Sequence, residues 1–130
     1  MAGESYPDDL KYHPEHDWAR IEGDQATFGV TWFAQDSLGE IVFFDPPEPG
    51  RQISANQPYA EIESVKAVSD VFAPLSGQIV EVNGNLGDKP EKINEDPYGE
   101  GWLVKVRLSD PGEADSLMDV TAYRELLKEQ

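Results

Sequence analysis

A chain of 130 residues with no cysteine and a formal net charge of −16 is long enough for one domain with a working core. It has no disulfide framework, no thiolate nucleophile and no cysteine-built zinc or iron–sulfur site. With 26 acidic against 10 basic side chains it lacks the cationic face that DNA, RNA or an anionic membrane requires, and it is steered toward proteins with basic faces.

Prolines and glycines spread along the chain punctuate short alternating segments, which is the pattern of an all-β barrel or sandwich rather than of βαβ units. The opening MAGESYPDDL has neither the basic start nor the apolar core of a signal peptide, and no stretch approaches a membrane span; the expectation is a soluble, cytoplasmic chain. Alternation predicts strands near residues 18–23, 25–30, 40–44, 59–64, 67–72, 77–83 and 101–108. After the second of these, TWFAQDSLG predicts a short helix with Thr31 as N-cap and Gly39 at the left-handed terminus. Across the hairpin of the fourth and fifth strands, Val68 and Phe72 are expected to face the core. NEDPYGEGW (94–102) lacks the ligand spacing of a calcium hand and reads as a turn shaped by Asp96 and Pro97, with Gly99 and Gly101 at unusual dihedrals. In the last strand Trp102, Val104, Val106 and Leu108 share one face, and Leu103, Lys105 and Arg107 the other. A helix over about 119–128, capped by Asp119 and stacking Val120, Tyr123, Leu126 and Leu127, is expected to close one side of the barrel. GEIVFFDPPEPG (39–50) is faintly echoed by GQIVEVNGNLGD (77–88), which suggests two similar β-halves.

Two constellations bear on chemistry. The first is Lys66, the only lysine between Lys11 and Lys89, set in the apolar, β-branched run ESVKAVSDVF. A tight turn near SVKA puts its amine in solvent, where it is a poor general base without burial but an accessible handle for acylation. The second is HPEHDW (13–18). His13, His16 and Asp17 invite a metal reading, but Pro14 disfavours the helix that would align two histidines three apart, and the chain has no third histidine.

ESVKAVSDVFAPLSGQIVEVN resembles the lipoyl-attachment hairpin of the glycine cleavage H-protein family. KYHPEHDWAR, FGVTWFAQDSLGEIVFF, PEPG, NEDPYGEGWLVKV and AYRELL resemble further family segments in the same order, over roughly residues 10–128. Biotin carriers flank their lysine with methionines, whereas Lys66 stands between Val65 and Ala67. The resemblance implies a mainly β, barrel-sandwich hybrid with a short internal helix and a C-terminal helix. It would be a single lipoyl-carrier domain over 1–130, with its hairpin at about 60–73.

The resemblance further implies lipoate in amide linkage on Lys66, with Glu63, Ser64, Val65 and Ala67 as the attachment motif. The lipoyl dithiolane would supply the sulfurs that the chain lacks. In that role the chain is a carrier without catalysis of its own. It would take an aminomethyl group from glycine decarboxylase (a pyridoxal-phosphate enzyme) to the aminomethyltransferase, and pass electrons to dihydrolipoamide dehydrogenase, after modification by a lipoyl ligase or transferase. It is expected to be monomeric when free. Asp17, where the family usually has Glu, would line a cleft that shelters the loaded arm together with Ser37, Leu38 and Asp70, with Trp32 adding apolar surface nearby. Glu61, Glu63 and Asp70 flank the hairpin and would steer partners. A paralogue active in lipoyl relay or another lipoate-dependent pathway, and an unmodified acidic interaction module, are the alternative readings.

Overall fold

The computed structural model describes residues 3–130 and, besides two short 3-10 turns at Gly84–Gly87 and Pro111–Ser116, holds nine strands and three α-helices among them. These are β1 (Lys11–His13), β2 (Asp17–Glu22), β3 (Gln25–Val30), α1 (Trp32–Leu38), β4 (Ile41–Asp45), β5 (Gln52–Ile53), β6 (Pro58–Ser64), β7 (Val68–Phe72), β8 (Gly77–Val82), α2 (Lys92–Glu95), β9 (Val104–Leu108) and α3 (Val120–Lys128). Antiparallel pairing gives a six-stranded sheet, β1-β2-β3-β9-β8-β5, and a three-stranded one, β4-β6-β7.

The core lies where the two sheets meet. Phe28, Ile79, Val104 and Val106 from the larger sheet pack in one cluster with Ile41, Phe44, Ile62 and Val71 from the smaller. The two Gly-x-Ile-Val segments fall on different sheets, β4 on the smaller and β8 on the larger. Both expected helix caps are present: Thr31 Oγ1 accepts from Ala34 N at 3.3 Å, and Asp119 Oδ1 accepts from Ala122 N at 2.8 Å. Gly39 ends α1 at φ 84°, a conformation that favours glycine.

Four expectations change. The C-terminal helix does not close the core between the sheets. Through Tyr123 it packs on a second cluster with Tyr6, Leu10, Tyr12 and Trp18, and the Tyr12 and Tyr123 rings stack with centroids 4.6 Å apart. Strand β2 is therefore buried on both faces, with Ala19 in the first cluster and Trp18 in the second. The indole of Trp18 occupies the space a side chain at its cross-strand partner Gly29 would need.

Leu103, expected on the strand face of Lys105 and Arg107, is fully buried; it precedes β9, and its N–H bonds to Phe28 O at 2.9 Å. Phe72 is half-buried outside both core clusters, and Val68 does not face the core. It pairs with Glu63, and cross-strand partners share a face, so the outward Glu63 turns Val68 outward and Val71 takes the core position. Gly99 and Gly101 are not in the left-handed region. They are glycines because of crowding: a Cβ on Gly101 would stand 2.6 Å from Lys92 O, and one on Gly99 would run into the Asp96 carboxylate.

Candidate functional site

Lys66 is exposed at the tip of the β6–β7 hairpin, and one side chain shapes that tip. Ser64 Oγ accepts from Lys66 N at 3.2 Å and from Ala67 N at 3.1 Å, while Ser64 N donates to Ala67 O at 2.8 Å. A hydroxyl that gathers two successive amides makes a tight turn and explains a serine two residues before the lysine. Val65 N donates to Glu40 O at 3.0 Å, which ties the turn to the start of β4. The lysine stem runs back over the end of α1: Cε lies 3.6 Å from where a Cβ on Gly39 would stand. Among the described residues no ion pair involves Lys66, whereas Lys92, Lys105 and Lys128 each have a carboxylate within 4 Å.

Beside this turn lies a cavity of about 240 Å³. Helix α1 contributes Phe33, Ala34, Ser37 and Leu38, which fall on one face at i, i+1, i+4 and i+5; β7 contributes residues 69–72, the β1–β2 connection Glu15 and His16, and β2 its first residue, Asp17. Val30 and Ile62 add apolar surface. The expected cleft residues Asp17, Ser37, Leu38 and Asp70 therefore line one space. Trp32 is not among the lining residues. Its side chain packs with the second cluster, and its N–H donates to Tyr98 Oη at 2.8 Å.

Asp17 is the unusual group. It is 2% exposed, and its Oδ2 has no hydrogen-bond partner. His13 Nδ1 lies 4.0 Å away, but that nitrogen already accepts from Glu15 N at 3.1 Å, while Nε2 meets the side-chain Oδ1 of Asn56 at 2.7 Å. Acting as an acceptor there, Nδ1 has no proton to donate to the carboxylate. Burial, with the charge of Glu15 added, pushes the Asp17 carboxyl well above the usual range; the Phe72 backbone amide pulls it the other way. Asp17 opens β2 opposite Val30 and has no turn-capping bond.

His16 sits at φ 73° with its ring 4.5 Å from that of Phe33 and Nδ1 2.9 Å from Tyr123 Oη, and burial lowers its pKa. Tyr123 Oη also meets the N-cap hydroxyl of Thr31 at 2.7 Å, so α3 braces the start of α1. Among the described residues no group of three or more His, Cys, Asp or Glu could hold a metal.

Asn94, read from sequence only as part of a turn, is a bracket for the site. Its amide donates to Gln35 Oε1 at 3.0 Å and Gly39 O at 2.9 Å, and its oxygen accepts from Ile41 N at 2.9 Å. It thus joins the end of α1 to the start of β4, directly under the lysine. Asn94→Ala would strand three buried polar groups, each costing about 1–3 kcal/mol if unpaired. Partial relaxation leaves an expected loss of about 3 kcal/mol, read as a lower denaturant midpoint at constant slope.

The rest of the expected attachment motif is surface. Glu63 is exposed between Phe43 on β4 and Val68 on β7, and Val65 and Ala67 are exposed in the turn. Two residues along, on the same face, Asp45, Glu61 and Asp70 form a row across the three-stranded sheet.

The glycine cleavage H-protein family model matches residues 10–130. The chain belongs to the glycine cleavage H-protein family. It is 53% identical over 123 residues to the glycine cleavage system H protein of Symbiobacterium thermophilum, covering 95% of this chain and 96% of that one. It is 46% identical over 125 residues to that of Bacillus subtilis, covering 96% and 98%. The crystal structure of a glycine cleavage system H protein from Mycobacterium marinum superposes with a TM-score of 0.87 at 40% identity, covering 95% of this chain and 99% of that one. The mainly β, barrel-sandwich architecture is that of the H-protein fold. No helix among the described residues is long and apolar enough to cross a membrane.

Proposed function

We propose that this chain is the lipoyl carrier of a glycine cleavage system, with Lys66 as the attachment residue. The observation that carries the reading is the pairing of a lysine without an ion pair on a serine-built hairpin tip with a neighbouring cavity that holds a buried carboxyl with one unpartnered oxygen. Lipoate fits this place: the lysine stem already leans over Gly39 toward the Ser37–Leu38 end of the cavity, whose lining is largely apolar. When attached, lipoate supplies a disulfide–dithiol couple that carries the one-carbon amine and the electrons.

The chain's own residues display, orient and shelter. Ser64 keeps the tip tight, so that the anchor is sterically open to successive active sites. Phe33, Leu38, Ile62 and Val71 exclude water, and Asp17 offers a charge-assisted hydrogen bond to an amine. Ser37 and Asp70 add polar atoms to the same lining. The partners of this reading are the pyridoxal-phosphate glycine decarboxylase, the aminomethyltransferase, dihydrolipoamide dehydrogenase and a lipoyl ligase or transferase. The carrier performs no catalysis itself. Intact mass of the protein from a lipoylating host is expected to rise by one lipoyl group, mapped to the peptide containing Lys66; a label on Lys89 or Lys105 would sink the assignment.

A further inference from the structure

We propose that Val42, Phe43, Val65 and Val68 form the seat of the enzyme that attaches the lipoyl group, with Phe43 as its anchor; this rests on the lipoyl-carrier reading of Lys66. Among the described residues five large apolar side chains are exposed: these four, and Val80 on the other sheet. Single exposed apolar residues need no explanation, but four of five gathered around one hairpin mark an interaction site.

The backbone is built to present them. A β-bulge lies between Ile41 and Phe43, so that Ile41 and Phe44 both reach the core while Val42 and Phe43, between them, both turn out. Phe43 is 52% exposed, Val65 66% and Val68 59%. Phe43 and Val68 flank Glu63 on one register row, and the carboxylates of Asp45, Glu61 and Asp70 form the next row on the same face, two residues along. The complementary surface is a shallow apolar seat rimmed by lysine or arginine. None of the four patch residues lines the cavity beside Asp17, so this face stays open when the cavity is filled.

The chemistry selects the occupant. Attachment brings the Lys66 amine to the acyl carbon of an activated lipoyl donor, an acyl–phosphate anhydride. The amide C–N bond forms, the C–O bond to phosphate breaks, and the phosphate monoester leaves with the electron pair. Two of the three ammonium protons pass to solvent. The attaching enzyme must reach Nζ on the lysine's own short stem, so its surface closes on the residues beside Lys66. Enzymes that act later meet the far end of a longer arm and need not cover the patch.

The test uses full-length unmodified protein with a purified lipoate–protein ligase, free lipoate and ATP, following intact mass over time. For Phe43→Ser/Val68→Ser the expected result is about a tenfold fall in kcat/KM for attachment, carried by KM, with Val80→Ser unchanged. Driven to full modification, the double variant should turn over glycine within about twofold of wild type. Should its thermal midpoint drop, Val42→Ser/Val68→Ser carries the same test. Attachment at the wild-type rate would overturn the inference. So would an equal loss in glycine turnover after full modification, or sedimentation showing a wild-type dimer that the variants abolish. Wild type that gains no lipoyl mass at all would overturn the carrier reading, and this inference with it.

Discussion

Lys66→Arg is expected to remove lipoyl attachment completely and to bring glycine decarboxylation supported by the carrier down to the assay background. The substitution keeps the charge and most of the reach, but a guanidinium stays protonated and offers no amine nucleophile for amide formation. The fold should not notice. Lys66 is exposed and unpaired, and surface changes of this kind shift stability by only about 0.5 kcal/mol. Intact mass, decarboxylation with the partner enzymes and a thermal melt form one set of measurements. Residual lipoylation in the variant would move the attachment point elsewhere. Lys105 is a poor substitute, with Glu81 at 3.9 Å and the Trp102 ring at 5.1 Å.

Asp17→Asn is expected to have two opposite effects. Retention of the loaded arm should shorten by about tenfold to a hundredfold, because a hydrogen bond to a buried charged group is worth about 1.5–3 kcal/mol. Stability should rise instead, in a pH-dependent way. The carboxyl has an ordinary value of 3.8, and the native fold raises it well above that, chiefly through burial. Between the two values the native state holds a proton that the unfolded chain has lost. The contribution to stability is therefore complete below the unfolded value and is lost as pH rises through the raised native one. In the Asp17→Asn variant this slope disappears, which denaturant melts at several pH values between about 4 and 8 would measure, with the gain over wild type largest at the alkaline end. Arm retention in wild type runs the other way, since a cation docks on the ionised form: it weakens as pH falls, by up to about tenfold per pH unit when docking must expel one proton. Equal adduct lifetimes in wild type and variant would mean that the arm does not rest against Asp17.

The sequence announces features that are local and hides those that depend on distant partners. Thr31, Gly39 and Asp119 mark their helix ends because capping is decided within a turn or two. Six-residue alternation located β2, β3 and β8. Strands β1 and β5, with three and two residues, are too short for any period and exist only because a neighbour pairs with them. The misreading of Val68 came from treating its strand in isolation, when the register with Glu63 decides its face. Four residues of the cavity were legible through the family resemblance. The helical spacing of Phe33 with Ser37, and of Ala34 with Leu38, would have added two more. Asn94 was not recoverable: its three partners are 53 to 59 residues away in sequence, and nothing adjacent distinguishes a buried bracket from a turn asparagine.

Strand β2 carries the cavity carboxyl at its first residue and is clamped between two apolar layers, Ala19 in one and Trp18 in the other. Segments so enclosed open only with the whole domain, so their amides exchange slowly. On the carrier reading, the receptor end of the cavity would thus be the stiff member and an arm tethered to Lys66 the mobile one. Cargo release is then escape from a fixed well rather than the opening of a lid. Its rate sets a dwell time that a visiting enzyme either waits out or shortens by competing for the amine.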